Sequence, residues 1–135
     1  MQFERTFSYD PPRANIFVVV IGINKYKDKN IPELKYAERD GEAVVAYFKE
    51  RLGVKKENIY TLLGKDATTE NIKRVIGVDI KKKAQKNDQI VIFFAGHGAP
   101  EPEAKSLNAD GIEKYLLSYN SELDALYATA IPMRE

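Results

Sequence analysis

The chain has 135 residues, 44% of them hydrophobic, which is the length of one domain with enough apolar side chains for a core. Lys plus Arg number 21 against 20 for Asp plus Glu, and this formal charge of +1 gives no electrostatic basis for binding nucleic acid or an anionic membrane. There is no cysteine, which excludes disulfides and thiolate metal sites, and the apolar runs of about eight residues are too short to span a bilayer. No signal-peptide pattern follows Met1, so the default address is the cytoplasm.

Residues 1–14 lack periodicity and carry Pro11 and Pro12, which predicts an extended N-terminal arm leading into a domain over 15–135. "NIFVVVIGI" is a continuous β-branched run, the pattern of a strand buried on both faces. A polar loop over 24–34 follows. Ala37, Val44, Phe48 and Leu52 then share one helical face, with Tyr47 beside them, so a helix is expected over about 35–52, ending at Gly53. "ENIYTLLG" predicts a second strand nearer the sheet edge. Thr68 or Thr69 can cap a second helix carrying Ile72, Val75, Ile76 and Ile80. "DQIVIFFAG" predicts a third strand. Strand, helix, strand, helix, strand with long connections specifies an α/β fold, a three-layer sandwich around a mainly parallel, doubly wound sheet. From residue 100 the pattern changes to an excursion with Pro100, Pro102 and a turn at 108–111, expected to form a hairpin. The tail over 121–135 reads as a connection to a further element.

Two nucleotide motifs fail on inspection. "GHGAPE" has Glu101 where a dinucleotide fingerprint needs its third glycine, and "LLGKDATT" has Asp66 where a phosphate loop needs Ser or Thr. With one histidine and no cysteine, neither a metal nor another cofactor is expected. The "NADG" stretch is at best a fragment of a calcium loop.

His97 is the only histidine, and it follows the third strand between Gly96 and Gly98. A histidine hydrogen-bonded at a strand end is the plain structural reading. Chemistry is favoured by the position, since open parallel sheets bind ligands at the carboxyl ends of their strands. The flanking glycines let a substrate approach closely, and an unhindered Gly98 N–H can face an oxyanion. An imidazole suits general acid or base work near neutrality. His97 is therefore expected to be partly accessible and close to the loop over 24–34. Asp40 stands four residues before Val44 on the face expected to turn inward, where a carboxylate needs partners; backbone amides near the helix start are the simplest.

In order and spacing, "VVVIGINKY", "LKYAERDGEAV", "ATTENIKRVI", "DQIVIFFAGHG" and "KYLLSYN" resemble the caspase-like cysteine peptidases, which include caspases, metacaspases and prokaryotic relatives. The resemblance covers about residues 15–133. It implies that His97 is the catalytic general acid/base, that Gly98 supplies an oxyanion-hole amide, and that Asp40 is architectural. It also implies a polypeptide substrate, with a basic residue before the scissile bond in metacaspase-like members and Asp in caspases. In that family a further helix and strand follow, the strand ending in an Asp-x-Cys-x-Gly-type motif with the nucleophile. This chain stops at "AIPMRE". The expected function is thus a fragment of a caspase-like cysteine endopeptidase, incomplete at its C-terminus and inactive alone. The alternatives are a non-enzymatic, caspase-like interaction module, and a hydrolase using Ser106, Ser118 or Ser121 with His97. Calcium dependence, known for some members, places no ligands on this sequence. Without the Cys-bearing strand, residues 89–95 would form an apolar edge, so self-association is expected through that edge or through the tail at 118–135; the alternative is that the tail folds back and masks the edge within one chain.

Overall fold

The structure, a computed structural model, describes residues 14–102 and 112–133. Nearly all of the N-terminal arm, Ser106 and the turn at 108–111 lie outside them. Strand β1 (Ile16–Gly22) runs through the middle of a parallel sheet of order β2-β1-β3, between β2 (Ile59–Leu63) and β3 (Gln89–Ala95). Val19 pairs with Tyr60 on one side and Ile92 on the other. Every β1 residue from Phe17 onward is buried, as its unbroken apolar run requires.

The strand period of two sorts β1 between two cores. Phe17, Val19 and Ile21 pack with Ile72, Val75 and Ile80, whereas Val18 and Val20 pack with Val44, Val45 and Phe48. The first helix, α1 (Ala37–Ala46), therefore covers one face. The other face is covered by α2 (Thr69–Arg74) and α3 (Ile80–Lys83), which are joined by a π-helical turn at Val75–Asp79. That arrangement is the three-layer, doubly wound sandwich expected from the element order. Thr68 is the N-cap of α2, its hydroxyl accepting the Asn71 N–H at 3.1 Å.

The first helix departs from expectation. After Ala46 the chain widens into a π-helical turn, Tyr47–Arg51, and reverses at Gly53 (φ 65°). An i→i+5 pattern turns less per residue, so Leu52, expected on the core face, falls off it and is 50% exposed, as is Tyr47, expected beside that face. The helix approaches the sheet closely where it begins. A Cβ on Gly22 would stand 2.7 Å from the Ala37 carbonyl oxygen, and one on Gly41 would stand 3.0 Å from Leu63 Cδ2. The Ala37 oxygen is backbone and cannot swing aside. Gly22→Ala should therefore destabilise the fold by about 1–3 kcal/mol, measured by urea unfolding; wild-type stability would show that α1 can slide outward at no cost.

The excursion is a hairpin, as expected. Strands β4 (Gly98–Pro102) and β5 (Ile112–Leu116) pair antiparallel, and β6 (Ile131–Pro132) adds a third strand that the tail was not expected to supply. Leu117 N–H donates to His97 O at 3.0 Å, which marks 97 and 117 as a hydrogen-bonded pair. Alternation then makes 98, 100 and 102 the positions whose amides face away from β5. Pro100 and Pro102, which have no N–H, occupy two of these three positions on an edge strand. Among the described residues no helix is long and apolar enough to cross a membrane.

Candidate active site

The sheet delivers His97 to its carboxyl edge. Strand β3 ends at Ala95, whose carbonyl accepts the Ile23 N–H at 3.0 Å, and Gly96 turns the chain into β4. His97 is half-buried. Its Nε2 lies 3.0 Å from the Pro32 carbonyl oxygen, and its backbone N–H donates to Tyr26 Oη at 2.8 Å. The Tyr26 and His97 rings are 5.8 Å apart and tilted by 45°. Both partners belong to the loop after β1, the neighbourhood expected for this histidine. A carbonyl oxygen can only accept, so the Pro32 contact requires the proton on Nε2 and leaves Nδ1 as the basic nitrogen of the neutral ring. Gly98 is exposed, and its N–H shares the outward direction of the two proline positions.

The loop is held from several sides. Glu38, in the first turn of α1, accepts the Asn24 N–H at 3.0 Å, and Asn24 Oδ1 accepts the Glu38 N–H at 3.1 Å. Lys27 N–H donates to Tyr119 O, and Asp28 accepts the N–H groups of Leu123 at 3.0 Å and Asn30 at 2.9 Å. A cavity of about 640 Å³ opens between the ends of β1 and β2, with Asn24, Glu38, Gly64 and Tyr119 in its wall. Tyr26 lines it too, so this buried ring stands between the cavity and His97.

Those amide bonds carry a pH dependence. Hydrogen bonds from Leu123 and Asn30 hold the Asp28 carboxyl below its ordinary range, and bonds from Gln85 and Asn15 do the same for Asp88. The Asn120 side chain lowers Glu70 likewise. A carboxylate whose folded pKa is depressed contributes stability above its unfolded pKa and loses it as pH falls through the folded value. The thermal midpoint should thus be flat above about pH 5 and decline below about pH 4. Asp28→Asn should reduce the slope of that decline; an unchanged slope would mean that its amide bonds are not retained in solution.

Asp40 corrects the sequence reading. It is exposed on the first turn of α1, and the carboxylate that takes a backbone amide there is Glu38, two residues earlier. The inward positions of the helix start are Ala37 and Gly41, which leaves Asp40 on the solvent side, where it complements the helix dipole. The serines are equally specific. Ser118 and Ser121 are buried, with their hydroxyls 2.9 Å apart, and Ser118 Oγ lies 2.5 Å from Thr69 Oγ1. Thr69 and Ser121 both donate to Thr129 O, at 2.7 and 3.1 Å. These hydroxyls tie the start of α2 to the tail, and neither serine bonds His97. Sequence reading missed this cluster, as well as Tyr26 and Pro32. The available signal for Tyr26 was an aromatic residue inside an otherwise polar loop.

Residues 16–131 match the caspase domain of peptidase family C14. A crystal structure of protein GSU0716 from Geobacter sulfurreducens is similar over 84% of this chain, with a TM-score of 0.66 and 27% identity. The chain spans 44% of the length of that protein. No curated protein matches it significantly. The match over nearly all of the sheet, both helical layers and the strand that presents His97 places this chain in the caspase-domain family, peptidase C14.

Proposed function

We propose that this chain carries the histidine side of a caspase-like cysteine endopeptidase, with the thiol supplied by sequence other than these 135 residues. The observation that carries the reading is the Nε2–Pro32 O contact of 3.0 Å at the carboxyl edge of β3. Nε2–H donates to Pro32 O, so Nδ1 is the nitrogen left for the chemistry. A cysteine thiol gives its proton to Nδ1, and the thiolate attacks the peptide carbonyl carbon. The negative charge that develops on the carbonyl oxygen is met by the Gly98 N–H. The imidazolium then returns the Nδ1 proton to the leaving amine as the C–N bond breaks. Water, deprotonated by the same nitrogen, hydrolyses the thioester. Polypeptides are the substrate class, and each of these steps is assigned to protein groups and water. Gly98 is exposed beside the imidazole, and an extended peptide would approach there.

A second reading, a non-enzymatic caspase-like interaction module, is favoured by the absence of any cysteine. The first reading has a direct structural test, because the single histidine gives one set of imidazole signals. Nitrogen-15 spectra of the neutral protein should show the Nε2–H tautomer. A dominant Nδ1–H tautomer would protonate the nitrogen assigned to the thiol, put the basic Nε2 lone pair against Pro32 O, and overturn the assignment.

A further inference from the structure

The His97 amide should, by its pairing, complete the hairpin. His97 and Leu117 form a hydrogen-bonded pair, and Leu117 N–H already donates to His97 O. In an antiparallel ladder the reciprocal bond would run from His97 N–H to Leu117 O. Instead the His97 N–H donates to the Tyr26 hydroxyl at 2.8 Å. Tyr26 therefore ends the ladder one bond early, at the residue whose side chain does the chemistry.

Gly96 shows that this arrangement is built. A Cβ at that position would stand 2.7 Å from Tyr26 Oη and 2.9 Å from Phe94 Cζ. The glycine leaves open the space that the phenol oxygen occupies. Tyr26 is itself 3% exposed, in a loop whose neighbours Lys25 and Lys27 are exposed, so its ring is the loop's anchor in the apolar core. Burial raises the Tyr26 pKa, the larger effect, against a smaller lowering by the His97 amide. The hydroxyl thus stays protonated and neutral across the physiological range.

We propose that Tyr26 is a positioning residue for His97: its hydroxyl takes the His97 amide from the β4–β5 ladder and so holds the imidazole within reach of Pro32 O. This rests on the assignment of His97 as the acid/base, but its test does not require peptidase activity. Without the hydroxyl, the amide turns to Leu117 O, the ladder closes, and the ring is drawn off the Pro32 carbonyl.

Tyr26→Phe keeps the buried ring and removes only the oxygen. Circular dichroism should report an intact fold. The imidazole should change from one tautomer to a mixture of both, and exchange of the His97 amide should change by on the order of tenfold. Gly96→Ala reaches the same contact from the other side, pushing the phenol away, and should give the same tautomer mixture. In the wild-type protein, the Tyr26 hydroxyl proton should show a nuclear Overhauser contact to the His97 amide. Wild-type tautomer and exchange behaviour in both folded variants, or no such contact, would overturn the proposal. An Nε2–H tautomer in wild type that persists in Tyr26→Phe defeats only the role of Tyr26. An Nδ1–H tautomer in wild type defeats the acid/base reading.

Discussion

The 135-residue chain is expected to hydrolyse no peptide bond by itself. Its sequence has no thiol, and an unassisted hydroxyl is a weak nucleophile at neutral pH. The two described serines near the chain's end cannot substitute. Ser118 and Ser121 are at most 1% exposed and spend their hydroxyls on each other, Thr69 and Thr129. Enzymatic acceleration of about a millionfold or more would thus be absent, and the chain should sit at the background of fluorogenic peptides ending in Arg, Lys or Asp. His97→Ala should leave that background where it is. Turnover that vanishes in His97→Ala would reveal a nucleophile among the residues already present.

A second large effect is expected in assembly. Strand β3 pairs with β1 on one side only, and no strand lies on its other side among the described residues. Ile90 and Ile92 are 47% and 50% exposed, and residues 89–95 contain neither a charge nor a proline. Edges of that kind lack the usual protections against pairing with another strand. The tail does not cover this edge, because β6 pairs with β5. Instead Ile131, Pro132 and Met133 line an apolar groove of about 530 Å³ together with Ile72, Ile92 and Phe94. The chain should therefore self-associate with rising concentration, by pairing of two β3 edges or by exchange of the tail. Ile92→Lys, which puts a charge on the strand, should weaken a β3-mediated dimer about tenfold or more, or about 1.4 kcal/mol. Sedimentation equilibrium reads both effects. A monomer at every concentration would remove both routes, and association unaffected by Ile92→Lys would leave only the tail.

The parts of this molecule that were legible in its sequence are those written as local patterns. The run from Phe17 to Ile21 needs two covered faces, and helices on both sides supply them. Thr68 declared the start of α2, and the apolar run ending at Ala95 declared the end of β3. Each of these signals lies within a few residues of the feature it specifies. Asp40 was misread because the helix phase is fixed by how Gly41 meets Val20 and Leu63, a tertiary approach that periodicity cannot supply. Leu52 was misplaced because one π-helical turn rotates everything after it. Tyr26 and Pro32 carry no periodic signal at all. They meet His97 across 71 and 65 residues of chain, and only the folded sheet brings them together. The Thr69–Ser118 bond, 49 residues apart, is of the same kind.

The central claim is that His97 moves the proton in a cysteine-dependent peptide hydrolysis. Its most direct measurement is a fluorogenic-peptide assay on the complete translated reading frame containing these residues, wild type against His97→Ala. The account predicts turnover that thiol alkylation abolishes, with kcat reduced by about 10²–10⁴ or more in His97→Ala and KM little changed. Equal rates for the two proteins, or turnover indifferent to alkylation, would contradict it.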